Sequence, residues 1–480
     1  MAGLSSHIRL AGWPSFTFLY VSPPTMSGWA ERGMRSPHQV EVLGDTFVGL
    51  LTMLLGPIVF CMVVSGIAAV DRLRHVGAIA LRSIAYFEIV TTLALLLGLL
   101  AVNLVRPGDG LAVDPAQLQL TDEVFSVGAS EMPSLTNPNN ISIVTGVPPA
   151  IHGIPGNYCR LPDGSLELLN DPRFLRVPSI HAEFAARGIP TLTVTTKDKL
   201  RLLLGNGGVP SVSVERARGA ALPEYRIDDI EELVGTPAPD VYDPSASHYA
   251  MRIGLAALQR VPGLRLVYVS LTDRVQHAAA PGDELADRFF AEFDALLGAY
   301  LDAGCTVGIT ADHGMNAKHH DAGTARVHYL GDLLTAAGVP FEEIVLPITD
   351  PYPKHHGALG GFAWLHLAPE HRGAAVRALA ALPGIEEVWE RADAATIYEL
   401  PADRIGDLGL AAAADTALGR YAVDHDLSQL HGGLRSHGSR HEQLVPLILS
   451  RPVRGPLAKR LHAGVLRNRD IHDLTLNNTA

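Results

Sequence analysis

Two short apolar runs that each end in an aspartate constrain the fold of this chain most strongly. Residues 264–273 stop at Asp273, and residues 306–312 stop at Asp312. Runs of this length, rich in Val, Ile and Leu, predict strands that are buried on both faces of a parallel sheet. Open α/β sheets keep their ligands at the carboxyl ends of such strands. The sequence therefore predicts an α/β fold with helices on both faces of the sheet.

The residues that follow these two runs favour a divalent metal site. His277 lies four residues after Asp273, so one helical turn would place both side chains on one face. Asp312 is followed at once by His313, and a Gly-bearing loop before the last apolar run carries His437, which could complete a site with Asp273 and His277. Carboxylate oxygen and neutral imidazole nitrogen suit Zn²⁺ or a similar ion. The alternative for Asp312 and His313 is a helix cap beside an ordinary surface histidine.

Several further polar residues have two interpretations each. Thr136 precedes Asn-Pro, so its hydroxyl is either a helix cap or, beside a metal ion, a nucleophile. Asn157 ends a Gly/Pro-rich loop and offers two amide donors to an oxyanion. Lys197 and Lys199 follow a predicted strand and either clamp a dianion or a carboxylate or lie solvated on the surface. The residues alone leave these alternatives open.

Composition excludes some classes of protein. The formal charge of −12 argues against nucleic-acid binding. The 3 cysteines are far apart in the sequence and indicate neither a disulfide framework nor a thiolate zinc site. The chain of 480 residues has room for two or three domains.

The N-terminal quarter differs from the rest of the chain. Residues 1–42 show no periodicity and are predicted to be poorly ordered. Residues 46–70 contain no charged side chain and residues 83–105 contain only Glu88, so both runs could cross a bilayer, with the basic loop between them in the cytoplasm. The alternative is a pair of buried core helices. A polar linker, residues 107–130, follows.

The first of two family resemblances covers residues 43–115. The stretches 56–61 (GPIVFC), 86–92 (YFEIVTT) and 103–107 (NLVRP) resemble the second and third transmembrane helices of dicarboxylate/cation symporters. We therefore assign residues 43–106 to two transmembrane-like helices. The segment omits the hairpins and the unwound helix that bind substrate and ions in that family, so transport does not follow from it.

The second resemblance covers residues 131–470. The stretches 136–140 (TNPNN), 195–199 (TTKDK), 311–318 (ADHGMNAK) and 355–360 (HHGALG) resemble the phosphonoacetate hydrolases of the alkaline phosphatase superfamily. The resemblance implies an alkaline-phosphatase-like sheet with an inserted cap lobe at about residues 319–401. It also implies two zinc ions per chain and a small phosphonate as the substrate.

The resemblance implies a role for each candidate residue. Thr136 would be the nucleophile that cleaves the C–P bond of phosphonoacetate through a phosphothreonine intermediate, giving acetate and phosphate. One zinc would be held by Thr136, Asp312, His313 and one further Asp, and the other by Asp273, His277 and His437. Asn157 would contact the phosphoryl oxygens, and Lys197 and Lys199 the substrate carboxylate. The alternatives are a phosphodiesterase or phosphomutase of the same superfamily, or an inactive membrane-tethered fusion product.

One part of the family pattern is missing. The further Asp follows an N-terminal apolar strand in the family, and no such strand precedes Thr136 here; Asp45, Asp114 and Asp122 lie in unsuitable surroundings. We therefore expect a sheet without its N-terminal strand, unless residues 107–130 refill the gap, and weak zinc binding at Thr136. The sequence leaves open a natural fusion or a misassembled reading frame, membrane association through residues 46–105 or a cytoplasmic location, and homodimerisation.

Overall fold

The largest sheet among the described residues has seven strands, in the order β2 (Val124–Ala129), β17 (Leu444–Leu449), β8 (Thr306–Thr310), β1 (Phe18–Ser22), β7 (Leu266–Ser270), β5 (Thr191–Thr195) and β6 (Ser211–Ser213). The computed structural model describes residues 124–321, 323–352, 354–428, 430 and 433–477, and the backbone of residues 18–22. They belong to one of the two compact units of the chain; the other unit, residues 29–121, lies outside the described ranges. The strands are β1 (Phe18–Ser22), β2 (Val124–Ala129), β3 (Tyr158–Arg160), β4 (Leu166–Leu168), β5 (Thr191–Thr195), β6 (Ser211–Ser213), β7 (Leu266–Ser270), β8 (Thr306–Thr310), β9 (Asn316–Ala317), β10 (Val327–Tyr329), β11 (Glu343–Val345), β12 (Phe362–His366), β13 (Ile385–Glu390), β14 (Leu408–Ala412), β15 (Ala417–Gly419), β16 (Arg435–Ser436) and β17 (Leu444–Leu449).

Helices cover both faces of this sheet. The described α-helices are α1 (Thr136–Thr145), α2 (Pro149–His152), α3 (Ile180–Ala186), α4 (Asp198–Leu204), α5 (Ile230–Val234), α6 (Ala246–Arg260), α7 (Arg274–Ala278), α8 (Glu284–Asp302), α9 (Leu330–Ala336), α10 (Pro369–Leu379), α11 (Arg391–Ile397), α12 (Gly455–His462) and α13 (Ile471–Leu476). Successive strand residues point to opposite faces, so Val267 and Val269 pack with α6 and α8. Leu266 and Tyr268 pack on the other face with α1, α4 and α13. The predicted α/β layering is confirmed.

The two strands predicted from their apolar runs are central to the sheet. All five residues of β7, and all but the first of β8, are buried. β5 and β6 run parallel to β7, whereas β17 runs antiparallel to β8. The sheet is therefore mixed, but β7 and β8 deliver their carboxyl ends to the same edge.

The position between β7 and β8 is occupied by β1, which runs antiparallel to both. Phe18 pairs with Ser270 on one side and with Thr310 on the other. The prediction of an unfilled gap is therefore wrong, and residues 18–22 form a strand within the segment predicted to be poorly ordered. The physical reason is that FLYVS is a short run of residues that favour strands, while two buried neighbours need partners for their backbone groups.

The end of the predicted linker 107–130 also forms a strand. β2 pairs antiparallel with β17 at the edge of the sheet, so these residues extend the sheet and do not refill its centre. Phe125 and Val127 alternate with less exposed neighbours along β2, and their side chains lie on its exposed face.

The inserted lobe is larger than predicted. Its four-stranded sheet has the order β11-β12-β14-β13 and its own apolar core. β14 pairs with both β12 and β13, and β15 pairs with β10. Because these pairings need residues 408–419, the lobe does not end at residue 401. Its C-terminal boundary lies after Gly419.

The two apolar runs at residues 46–70 and 83–105 lie outside the described residues. Within the part of the chain that the structure describes, no helix combines the length and the apolar character needed to span a bilayer. Membrane association through residues 46–105 stays a prediction.

Replacing Tyr20 by proline tests the role of β1. Proline has no N–H and cannot complete the ladder in the middle of a sheet, and each buried backbone group left unpaired costs about 1–3 kcal/mol. We expect Tyr20→Pro to lower the thermal midpoint of the full-length chain, measured by circular dichroism. Tyr20→Val keeps the amide and is the matched control. Equal midpoints for the two variants would show that the sheet does not depend on this strand.

Candidate metal centre and active site

Three chain segments meet at the edge of the sheet where β7 and β8 end. Asp273 follows β7 and caps α7, and Asp312 with His313 follows β8. Thr136 is the first residue of α1. The edge therefore gathers residues that are distant in sequence, as the strand-end argument predicted.

Asp273, His277 and His437 form the first cluster. One donor atom from each lies within 4.8 Å of the other two. Asp273 Oδ2 is 3.0 Å from His277 Nε2 and 3.7 Å from His437 Nε2. The distance between Asp273 and His277 is short because the two residues are four positions apart and α7 makes about one turn between them. The predicted grouping of these three residues is what the structure shows.

The second ring nitrogen of each histidine is held by a backbone carbonyl. His277 Nδ1 lies 2.8 Å from the Arg435 carbonyl oxygen, and His437 Nδ1 lies 2.8 Å from that of Ser134. Since a carbonyl oxygen only accepts, both Nδ1 atoms donate. Nε2 then presents its lone pair toward Asp273 when the ring is neutral, the arrangement in which histidine binds a metal. This donor set fits a divalent cation.

Asp312, His313 and Thr136 form a second cluster beside the first. His313 Nε2 is 3.4 Å from Asp312 Oδ2, 3.4 Å from Thr136 Oγ1 and 4.0 Å from Asp273 Oδ2. Its ring stacks on that of His437, with centroids 3.5 Å apart. His313 therefore connects the two clusters.

No further carboxylate joins the Thr136 cluster among the described residues, where only Asp273, His277 and His437 form a group of three metal-binding side chains. The direction of β1 explains part of this. Its carboxyl end, Ser22, pairs with Thr306 at the opposite edge of the sheet. A strand in this orientation cannot present an Asp from its carboxyl end to Thr136.

Opposite charges keep the Asp273 carboxylate in the ionised state that binds a cation. Burial raises the pKa of Asp273, but the charges of His277 and Lys197 outweigh burial and hold the pKa well below its usual range. Burial lowers the pKa of His277, yet Asp273 more than offsets this and raises it. Burial and the neighbouring His313 hold the pKa of His437 well below its usual range. The ionised carboxylate of Asp273 thus lies beside the neutral imidazole of His437.

The two predicted lysines lie beside this cluster in different environments. Lys197 Nζ is 3.8 Å from Asp273 Oδ1. Lys199 is accessible to solvent, but burial by surrounding protein atoms and the charge of Lys197 lower its pKa, whereas Asp350 of the lobe raises it. An exposed group that protein atoms still surround is typical of a cleft. α4 begins at Asp198, so the extended backbone on which the same-side prediction depended does not continue.

Asn157 connects the first turn of α1 to the lobe. Its Oδ1 accepts a hydrogen bond from the backbone N–H of Asn137 at 2.9 Å, and its Nδ2 donates to the carbonyl of Ile348. One Nδ2 hydrogen remains after these contacts. The side chain is therefore fixed next to Thr136 and retains a single donor.

Asn140 is a site residue that the sequence analysis missed. Its Nδ2 donates to the Thr136 carbonyl at 2.8 Å and to Asp312 Oδ2 at 3.3 Å, and its Oδ1 accepts from the Ser270 hydroxyl at 3.2 Å. It therefore links α1 to the ends of both β7 and β8. The four-residue spacing from Thr136 in a predicted helix was the available signal.

Comparisons with known proteins identify relatives of the described fold. Residues 126–440 match the family described as type I phosphodiesterase / nucleotide pyrophosphatase. Two crystal structures of phosphonoacetate hydrolase from Sinorhizobium meliloti 1021, in complex with phosphonoformate and with phosphonoacetate, are 40% identical to this chain with a TM-score of 0.68. The alignment covers 74% of this chain and 87% of that chain.

The N-terminal part matches a different family. Residues 27–145 match the sodium:dicarboxylate symporter family. C4-dicarboxylate transport proteins of Acinetobacter baylyi and Paraburkholderia phymatum are 48% and 53% identical over 81 and 79 residues. The chain spans only 18% of the length of each of these curated relatives.

The symporter match is thus confined to a fragment, whereas the hydrolase match includes both clusters of metal-binding residues. The chain belongs to the type I phosphodiesterase / nucleotide pyrophosphatase family of the alkaline phosphatase superfamily and is a phosphonoacetate-hydrolase-like enzyme.

Proposed function

We propose that this chain hydrolyses the C–P bond of phosphonoacetate to acetate and phosphate. The observation that carries the proposal is the position of the Thr136 hydroxyl, which lies in the first turn of α1 and 3.4 Å from His313 Nε2, the ring nitrogen that is itself 4.0 Å from Asp273 of the other cluster. The phosphonoacetate hydrolase with 40% identity, solved with phosphonoacetate bound, supports this substrate.

The donor sets fit two divalent cations, and we propose zinc. Thr136, Asp312 and His313 would hold one, and Asp273, His277 and His437 the other. When bound, such ions neutralise phosphoryl oxygens and lower the pKa of a coordinated hydroxyl.

Thr136 would attack phosphorus through Oγ. The P–O bond forms as the C–P bond breaks, and the electron pair of that bond leaves with carbon as the enolate of acetate, which takes a proton to become acetate. Water then attacks the phosphothreonine, releasing phosphate and restoring the threonine hydroxyl. One water is consumed for each phosphonoacetate, and no oxidant or reductant is needed.

The remaining side chains would orient the substrate. The N-terminus of α1 favours an anion through its free N–H groups, and the remaining Nδ2 hydrogen of Asn157 would bind a phosphoryl oxygen. Lys197 and Lys199 would bind the carboxylate. Because negative charge spreads from the departing carbon onto that carboxylate, a lysine there stabilises the transition state more than the ground state.

A phosphodiesterase activity is the second candidate, since the matching family is described by that activity. A diester has no carboxylate for the lysine pair to bind. We therefore favour a carboxylate-bearing phosphonate, and the two substrates can be compared on one preparation of the enzyme.

The function is tested by ³¹P NMR of phosphonoacetate with the purified chain. We expect the phosphonate signal to be replaced by inorganic phosphate, with an equal amount of acetate in the ¹H spectrum. Thr136→Ala should abolish turnover because no nucleophile remains, and Thr136→Ser should keep part of it because the hydroxyl remains. Turnover of a nucleotide diester but not of phosphonoacetate would favour the second candidate, and turnover of neither would favour an inactive fusion product.

The two metal positions should differ in affinity. Asp273, His277 and His437 provide three protein ligands, the number found at catalytic zinc sites, whereas the Thr136 cluster lacks its further Asp among the described residues. We expect elemental analysis after dialysis to find about one zinc per chain. His437→Ala should lose this zinc and His313→Ala, an equally buried change, should keep it. Two zinc ions retained by the unaltered chain would contradict the difference in affinity.

The lysines should matter for one class of substrate. Lys199→Glu should lower kcat/KM for phosphonoacetate by about 10- to 150-fold, because a hydrogen bond to a charged group contributes about 1.5–3 kcal/mol. An aryl phosphate ester, whose leaving group has no carboxylate, should lose much less. Lys459→Glu, the same charge reversal at an exposed lysine of α12, is the control. Equal losses on the two substrates would exclude a carboxylate clamp.

A further inference from the structure

A single buried carboxylate, that of Glu442, binds two of the segments that carry the metal-binding side chains. Its side chain is fully buried. Oε1 accepts hydrogen bonds from Asn316 Nδ2 at 2.6 Å and from Lys318 Nζ at 2.9 Å. Oε2 accepts from the backbone N–H of Ser439 at 2.9 Å and from its hydroxyl at 2.8 Å. Four donors therefore meet at one side chain, none of which the proposed chemistry uses.

The donors come from two different segments. Asn316 and Lys318 follow Asp312 and His313, and the Glu442 carbonyl accepts a further hydrogen bond, at 2.6 Å, from the N–H of Gly314 in the same segment. Ser439 lies two residues after His437. A short antiparallel ladder between β9 and β16 also joins the two segments. The Glu442 carboxylate therefore adds side-chain hydrogen bonds to an existing backbone pairing.

A third segment is tied to the same network. The Ser134 hydroxyl donates to the carbonyl of Ser439, and the carbonyl of Ser134 accepts from His437 Nδ1. Ser134 precedes Thr136 by two residues. Displacement of Ser439 would therefore affect the ring orientation of His437 and the start of α1 together.

The stability of the fold alone does not explain this arrangement. Lys318 and Glu442 are both fully buried in an ion pair, and an apolar pair of similar volume is often as stable as a buried ion pair. A carboxylate with four donors does, however, fix the relative positions of the segments that provide them. An apolar pair cannot do that, because apolar contacts have no direction.

We propose that Glu442, with Lys318, is a positioning residue that sets the spacing between the Asp312–His313 segment and His437, and so the affinity of the enzyme for its metal. The proposal rests on the proposed metal-dependent function. Metal-ligating groups depend in general on the partners that orient them, and loss of such a partner lowers metal affinity about 10- to 100-fold.

The test compares zinc affinity with the stability of the metal-free chain. Glu442→Gln keeps the shape but replaces one acceptor oxygen by a donor, and Lys318→Met/Glu442→Gln removes both charges. We expect the double variant to recover the metal-free thermal midpoint that Lys318→Met loses, because no unpaired charge remains. Zinc affinity, measured by competition with a chromophoric chelator, should stay about 10- to 100-fold below that of the unaltered chain.

Two further variants make the test independent of folding defects. Asp407→Asn removes a carboxylate that also has three donors, Arg372, Arg391 and the N–H of Leu367, but lies in the lobe. It should lower the midpoint without changing zinc affinity. Ser439→Ala removes the hydroxyl's hydrogen bond to Glu442 and the one that it accepts from the N–H of His441, but no charge, so it should lower zinc affinity with only a small fall in the midpoint.

The outcomes separate the two proposals. Zinc affinities of Glu442→Gln and Ser439→Ala equal to that of the unaltered chain, or affinities that only follow the midpoint across all variants, would overturn the positioning role while leaving the proposed function intact. An unaltered chain that binds no zinc would overturn the proposed function itself.

Discussion

The backbone pairing of β1 with both β7 and β8 is the interaction on which the site depends. Neighbouring strands lie about 4.8 Å apart, so a strand between them holds β7 and β8 about 9.5 Å apart. Their carboxyl ends carry Asp273 and Asp312. Without β1, two strands with unpaired edges would either expose backbone groups or pair directly, and direct pairing would halve the separation of the two strands. A five-residue strand more than one hundred positions away in sequence thus determines the geometry of the candidate centre.

The antiparallel orientation of β1 lets it complete the sheet but not supply a metal ligand. A ladder of hydrogen bonds forms with either strand orientation, so an antiparallel strand can pair with the backbone N–H and C=O groups of β7 and β8. The metal site does depend on orientation, because only a strand parallel to β7 and β8 would place the residue that follows it near Thr136. The fold is therefore completed while one cluster remains short of a carboxylate among the described residues, and the cluster of Asp273, His277 and His437 remains whole.

The sequence predicted the parts of this arrangement that follow from local pattern. It missed the parts that depend on contacts between segments distant in sequence. β7, β8 and the pairs Asp273–His277 and Asp312–His313 follow from local pattern, and the strand-end rule brings the pairs together. β1 could not be predicted, because a five-residue apolar run is common and only its two distant partners make it a central strand. The end of the lobe was misplaced for the same reason, since β14 is defined by its pairing with β12 and β13. The spacing of Asn140 from Thr136 was a signal, but the bonds that join Asn140 to Asp312 and Glu442 to Lys318 connect segments that are distant in sequence.

Asp273 is a carboxylate that stays ionised although protein atoms surround it. A carboxylate surrounded by protein atoms would tend to take up a proton, yet His277 at 3.0 Å and Lys197 at 3.8 Å keep its pKa well below the usual range. The ionised carboxylate that these two side chains stabilise is also the group that a divalent ion requires. Because a divalent ion at Asp273 would repel Lys197 while satisfying the carboxylate, the ammonium would then be available to an anion in the cleft beside Lys199. One carboxylate in this way couples the metal cluster to the lysine pair, because the Lys197 charge that lowers the pKa of Asp273 is also the charge that the proposed substrate would use.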